Sequence, residues 1–180
     1  MPTLRRPTPD VRESFLAAMD EFRAEGRGEE WDDSVVGDDL REFSGTWSSP
    51  EGFKSYVSQL LAQSLEEAPR PEGYVPATVL WWADGDEFLG RLSLRHRLTA
   101  RLVEWGGHIG YDIRASARRR GHATAMLRAA LPIARDLGIE TVLITCDDDN
   151  IASKRVIEKN GGVFADQRGK KLRFWVPTAS

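Results

Sequence analysis

Residues 118–123, which read Arg-Arg-Arg-Gly-His-Ala, constrain the fold of this chain more than any other segment. An apolar, strand-like run at 107–113 precedes them, and apolar residues at helical spacing follow at 124–137. A strand that enters a helix through a tight glycine turn leaves several backbone N–H groups unpaired and pointing one way. With the positive end of the helix dipole, these donors predict an anion site that suits a pyrophosphate.

The composition is that of an ordinary globular domain. The chain has 180 residues, of which 41% are apolar and 29% are charged, and this length favours one domain over two. No apolar run approaches the roughly 20 residues that cross a bilayer, and the N-terminus lacks the apolar core of a secretory signal. The single cysteine, Cys146, excludes an internal disulfide and fits a reducing compartment. We therefore expect a cytoplasmic protein with no membrane partner.

Hydrophobic periodicity predicts helices and strands along most of the chain. Asp10 and Glu13 have the form of a capping box for a first helix, and Ser49 with Pro50 marks the start of a second. The acidic stretch between them, 29–47, shows little periodicity. The predicted helices are 10–25, 50–65, 124–137 and 151–160, and the predicted strands are 77–83, 88–98, 107–113, 139–146, 163–165 and 172–176.

The spacing Arg-x-x-Gly-x-Ala resembles the acetyl-CoA pyrophosphate signature of the GCN5-related N-acetyltransferases (GNAT), and the order of elements over about 77–176 is similar too. Asn150-Ile151-Ala152-Ser153 through Gly162 resembles a later segment of that family. The resemblance implies an α/β fold with a mixed, largely antiparallel sheet flanked by helices and a splayed central strand pair. It also implies one acyltransferase domain over 1–180, with a helical acceptor-side part (1–76) and a sheet and CoA-binding part (77–176).

For the site, the resemblance implies acetyl-CoA as co-substrate and no metal. The pantetheine arm would pair with backbone near Ile113 and Arg114, Asn150 would bond it, and Ser153 would pack beside it. The predicted pyrophosphate-binding residues are Arg118, Arg119, Arg120, Gly121, His122, Ala123 and Thr124. The sequence departs from the family at Ile157, where many members carry the tyrosine that protonates the leaving thiolate.

An ammonium substrate must lose a proton before it attacks a thioester, and carboxylates or histidines can accept it through water. His108, on the strand predicted to lie nearest the thioester, is the favoured base, with Glu104 and Asp147 as the alternatives. The same reasoning leaves open whether another group, water or nothing replaces the tyrosine acid missing at Ile157.

Charge is distributed unevenly, with −8 over residues 1–68 and +5 over 69–180. The acidic half suggests a cationic small-molecule or peptide amine as acceptor. The three histidines lack metal-ligand spacing, and one short arginine run in an acidic protein is too little for nucleic-acid binding. The prediction is an N-acetyltransferase that works by direct attack. The alternative is a non-catalytic acyl-CoA-binding regulatory module, and the family resemblance leaves a homodimer open.

Overall fold

The computed structural model describes residues 1–179 as an α/β fold of seven strands and six α-helices. The helices are α1 (Arg12–Ala24), α2 (Val35–Phe43), α3 (Pro50–Ala62), α4 (Ala100–Glu104), α5 (His122–Asp136) and α6 (Ile151–Lys159). The strands are β1 (Thr3–Arg5), β2 (Ala77–Asp84), β3 (Glu87–Arg95), β4 (Ile109–Ile113), β5 (Thr141–Asp147), β6 (Val163–Arg168) and β7 (Lys171–Pro177).

The strands form two antiparallel sheets, in the orders β1-β2-β3-β4 and β5-β7-β6. The β2–β3 hairpin turns at Gly85, whose φ of 60° is in the left-handed region. The register places Ser93 opposite Gly110 and Arg91 opposite Asp112, so these four residues lie side by side on β3 and β4.

Among the described residues, the backbones of the two sheets are hydrogen-bonded to each other just before β4. The backbone N–H of His108 donates to the carbonyl of Leu143 on β5 at 2.7 Å. Gly107 has a φ of 58°, and a Cβ there would overlap that same carbonyl oxygen, so glycine is required for this close approach. Beyond this contact β4 and β5 are not paired, and the strands separate. The predicted splayed central strand pair, flanked by helices, is confirmed.

Alternate residues of the first sheet face two separate cores. Leu80 and Trp82 pack with α5 and β5, whereas Val79 and Trp81 pack with α1, α2 and α3. The second core is aromatic, and Phe15 lies at its centre with its ring 5.0 Å from Trp47 and 5.3 Å from Trp81 between centroids. Such pairs add to the hydrophobic stabilisation of burial. The first sheet is therefore covered on both faces. The edge of β4 that does not pair with β3 borders the opening, which is the gap between β4 and β5.

Several local predictions were wrong. The acidic stretch contains α2, capped by Ser34 through the N–H of Gly37 at 3.0 Å. The capping box of Asp10 does not form, because a 3₁₀ turn at Pro9–Val11 precedes α1 and no side chain caps it. The first residues, expected to belong to a helical part, pair as β1 with β2. Among the described residues, no helix is long and apolar enough to cross a membrane.

Candidate active site

The predicted anion site lies where the chain turns from β4 into α5. Arg119 (φ 61°) and Gly121 (φ 83°) adopt the left-handed region, and no side chain caps α5. Within residues 1–179, no oxygen accepts a hydrogen bond from the backbone N–H groups of 119–124. Unpaired donors in such alternating backbone, at a helix N-terminus, form an anion-binding concavity. A non-glycine residue in this conformation is strained by about 1–2 kcal/mol, as is common at functional sites.

His122 is the first residue of α5 and belongs to this loop-to-helix turn. Its Nδ1 accepts from the indole N–H of Trp82 at 3.2 Å, while its Nε2 is buried without a partner. An unpaired buried polar atom costs free energy, so a group that bonds it on ligand binding would remove that cost. His122 therefore lies at the turn for which phosphate binding is predicted.

The arginine side chains nearest the turn are bound to helix α1. Arg118 pairs with Glu25 and its Nε donates to the carbonyl of Ile113 at 2.9 Å. Arg114 donates to Glu21 at 2.5 Å and to the carbonyl of Phe88 at 3.1 Å. These contacts fix the loop on α1, so the backbone amides rather than these two guanidinium groups are free at the anion site.

The backbone of β4 has unpaired N–H and C=O groups along the edge that faces the opening. The N–H of Arg95 donates to the carbonyl of His108, and the N–H of Arg114 donates to that of Leu89. In an antiparallel pair the bonded groups alternate, so the N–H and C=O groups of Ile109, Tyr111 and Ile113 point away from β3, toward β5. This is the arrangement that a pantetheine arm needs in order to add to the strand edge.

The hydroxyl of Tyr111 crosses the opening to the first turn of α6. It lies 2.8 Å from Oγ of Ser153, and burial raises the pKa of Tyr111 well above its usual value. Asn150 caps α6 by accepting from the N–H of Ser153 at 3.1 Å. Ile157, in contrast, is buried in the core. Tyr111 was not among the predicted proton donors, because its spacing from Ile109 and Ile113 places it on an apolar face of β4.

A cleft of about 1670 Å³ runs from this opening toward the helices of the N-terminal part. Its walls include Tyr111, Cys146 and Ser153 at one end and residues of α2 and of the 68–75 segment at the other. Eight carboxylate side chains and eight cationic side chains line it. The cleft is therefore not the acidic surface that the charge distribution along the sequence suggested.

Ion pairs account for this difference. The guanidinium of Arg27 donates to Asp32 at 3.1 Å and to Asp112 at 2.8 Å. Asp39 pairs with the buried Arg91, and the hydroxyl of Tyr56 donates to the same carboxylate at 2.6 Å. These two guanidinium groups offset two of the three carboxylate charges, and the cleft as a whole is lined by equal numbers of both signs, so the predicted preference for a cationic acceptor loses its main support.

His108 has the geometry of a structural residue. Its Nδ1 accepts from the backbone N–H of Leu143 at 2.9 Å, so the single proton of the neutral ring is on Nε2. Burial, with a smaller contribution from Arg95, lowers the pKa of His108 to about 4. A neutral ring whose lone pair is already used has no acceptor for a substrate proton. The predicted role of His108 as base does not agree with this geometry.

The other two predicted bases do line the cleft. Glu104, at the end of α4, pairs with Arg168, and Asp147, at the end of β5, pairs with Lys171 at 2.7 Å. Both carboxylates are about half exposed. Either can therefore reach a water molecule in the cleft. Among the described residues, no group of three or more His, Cys, Asp or Glu is arranged to hold a metal ion.

The loop, the splayed strands and the cleft are the features that a protein needs in order to bind an acyl-CoA. The sequence profile described as "Acetyltransferase (GNAT) domain" matches residues 3–163. The chain therefore belongs to the GNAT family of acetyltransferases, whose co-substrate is acetyl-CoA. A comparison with curated protein sequences gave no significant match.

Solved structures with the same fold cover almost the whole chain. The ribosomal-protein-S5-alanine acetyltransferase from Vibrio fischeri has 13% identity and a TM-score of 0.67, and the alignment covers 99% of this chain and 93% of that one. The Microcin C7 self-immunity acetyltransferase, in complex with acetyl-CoA and AMP, has 14% identity and a TM-score of 0.63, with 98% and 92% covered. A ribosomal L7/L12 alpha-N-protein acetyltransferase in complex with coenzyme A has 18% identity and a TM-score of 0.62, with 99% and 96% covered.

Proposed function

We propose that the protein transfers an acetyl group from acetyl-CoA to a primary amine by direct attack. The observation that carries this proposal is the set of unpaired N–H groups of residues 119–124 at an uncapped helix, beside an unpaired strand edge. Both features match what a nucleotide pyrophosphate and a pantetheine arm require. Acetyl-CoA supplies the activated acyl group, and the chain supplies binding, orientation and proton transfer.

In this mechanism the amides of 119–124 bind the pyrophosphate, and the free N–H and C=O groups of Tyr111 with the N–H of Ile113 bind the pantetheine arm. A backbone N–H of the same strand edge polarises the thioester carbonyl, as donors aimed at a developing oxyanion do. Asn150 and Ser153, at the start of α6, close the opposite side of the opening. The amine enters from the cleft and attacks without a covalent enzyme intermediate.

Proton transfer is assigned to groups that line the cleft. Glu104 or Asp147 receives the proton of the substrate ammonium through water, because both are accessible while His108 is not. Tyr111 replaces the missing tyrosine at 157 as the proton donor to the leaving thiolate. Its raised pKa keeps the phenol protonated near neutral pH, and its contact with Ser153 holds it in the opening.

The second candidate function is a non-catalytic acyl-CoA-binding module. Two observations favour it: Ile157 is buried where many relatives carry an acid, and both candidate bases are ion-paired. It predicts CoA binding without turnover of any amine. The first candidate predicts both.

Gly121→Glu tests the CoA site. The new side chain would add bulk and negative charge among the amides, and we expect it to abolish CoA binding in calorimetry. Gly138→Glu is the matched control, because Gly138 follows the other end of α5 with a φ of 81° and has equal open space around it. Both variants introduce the same strain and charge, so only Gly121→Glu should lose CoA.

Unchanged CoA affinity in Gly121→Glu would remove the proposal. Thiol release from acetyl-CoA over a panel of primary amines then separates the two candidates. Turnover of one amine class supports the enzyme, whereas tight CoA binding without turnover across the panel supports the regulatory module.

A further inference from the structure

Arg95, at the end of β3, differs from the other arginines that face the cleft. Its Nη1 donates to the carbonyls of Gly106 and Gly107, each at 3.2 Å. Within residues 1–179, no carboxylate lies within ion-pair distance of it, and its Nε and Nη2 have no hydrogen-bond partner. These two nitrogens are also not among the buried atoms without partners, so they reach the solvent of the cleft.

The free edge of Arg95 is the one suited to a carboxylate. Nε–H and Nη2–H form the parallel fork that binds both oxygens of a carboxylate, and Arg173 uses this fork on Asp166 at 2.6 and 2.7 Å. With Nη1 held by two carbonyls, the guanidinium of Arg95 is fixed and its fork is preorganised. The contact with the turn at Gly106 and Gly107 uses only Nη1 of Arg95. A purely structural role therefore does not explain why Nε and Nη2 are unpaired.

The charge of Arg95 also lacks compensation. Burial lowers the pKa of Arg95 from its usual value, and the like charges of Arg101 and Arg91 act in the same direction. Asp38, a carboxylate whose charge acts favourably on Arg95, is itself bonded to Arg41 at 2.6 Å. A mostly buried cation without a counter-ion is unfavourable, and an anion bound in the cleft would remove that cost.

Arg95 lies near the edge of β4, where we propose that the thioester reacts. A Cβ added at Gly110 would be 4.0 Å from Nη1 of Arg95, so the guanidinium lies over the β4 position next to Tyr111. The missing side chain at Gly110 leaves room there. An anionic group on this fork would therefore lie close to the strand edge to which we assign the thioester.

We propose that Arg95 binds a carboxylate carried by the acceptor close to its amine, so that the acceptor is an amino acid or a related amino carboxylate. This inference rests on the proposed acetyl transfer. It replaces the expected cationic acceptor with a zwitterionic one, whose ammonium faces the cleft carboxylates and whose carboxylate faces Arg95.

The test uses L-amino acids, each paired with its carboxamide, as acceptors at saturating acetyl-CoA. We expect the best acid to exceed its amide in kcat/KM on the order of 100-fold, since a charged, bidentate contact is lost in the amide. Arg95→Gln should reduce this preference to within a few fold. Arg95→Lys should keep part of it, because the charge stays and the fork is lost. Arg101→Gln removes one exposed positive charge from the same cleft and should keep the full preference.

A second measurement does not depend on turnover. Calorimetry of the CoA-saturated protein with N-acetyl amino acids and N-acetyl amino acid amides should show the same preference and the same loss in Arg95→Gln. CoA affinity reports whether each variant is folded. Equal handling of acid and amide by the unmodified protein, or a preference that survives in Arg95→Gln, overturns the inference. Failure of the unmodified protein to bind CoA would instead overturn the proposed function.

Discussion

His108→Asn tests whether the contact between the two sheets depends on a neutral histidine. In the unfolded chain His108 has a pKa of about 6.5, whereas burial lowers it to about 4 in the folded protein. As the pH falls, the unfolded chain therefore binds the proton first. The stability associated with neutral His108 is fully present above about pH 6.5 and is lost as the pH falls toward 4.

The two pKa values of His108 set the size of the change in the free energy of unfolding. Their difference corresponds to about 3.4 kcal/mol once the ring is protonated in both states, and to about 2 kcal/mol at pH 5. The asparagine side chain of His108→Asn would keep an oxygen near the position of Nδ1 for the N–H of Leu143 but would not titrate. Between pH 7.5 and pH 5, the free energy of unfolding of the unmodified protein should therefore fall by about 2 kcal/mol more than that of His108→Asn.

Urea unfolding at the two pH values measures this difference, and His96→Gln provides a comparison. His96 also has a lowered pKa, but its ring is only partly buried, so its effect should be smaller. A difference below about 0.5 kcal/mol between the unmodified protein and His108→Asn would refute the reasoning, since that is within the range of ordinary surface substitutions. Acetyl transfer at pH 8 should survive in His108→Asn, whereas loss of a general base would cost about 10²–10⁴-fold.

Two further predictions concern proton transfer. Tyr111→Phe should lower kcat by about 10²–10⁴-fold, the usual contribution of a general acid, while KM for acetyl-CoA stays within a few fold; an unchanged kcat would exclude Tyr111 as the acid. Glu104→Gln or Asp147→Asn, whichever removes the base, should lower kcat/KM by about 10²–10⁴-fold, the usual contribution of a general base, and Arg168→Gln and Lys171→Gln control for the broken ion pairs. An unchanged kcat/KM in the double variant of both carboxylates would contradict the assignment.

The anion site could be predicted from the sequence because its causes are local. Gly121 permits the left-handed turn, the arginines before it cannot continue β4 as a core strand, and the apolar spacing after it starts α5. The later segment is equally local, since Asn150 caps α6 through a residue three positions away.

Helix α2 was not predicted, because its pattern of apolar residues is short and is interrupted by residues that disfavour helices. Its apolar stripe consists of Val36, Leu40 and Phe43, interrupted by Gly37 and two aspartates that ordinarily disfavour helices. The helix forms because its stripe packs into the aromatic core beside α3, which is a tertiary contribution. The three-residue strand β1 likewise depends on its pairing with β2.

The acidic character predicted for the acceptor side depended on charges along the chain, whereas the fold brings eight carboxylate and eight cationic side chains together around the cleft. Arg91 of the C-terminal half reaches Asp39, 52 positions away, and Arg27 of the N-terminal half reaches Asp112, 85 positions away, so the fold pairs charges across the two halves. What a ligand meets is the charge left after this pairing. Arg95 has a fork and a net charge that no carboxylate of the described chain neutralises. Arg95, the cation that we propose to select the acceptor, therefore lies in a cleft for which the charges along the sequence predicted an acidic surface.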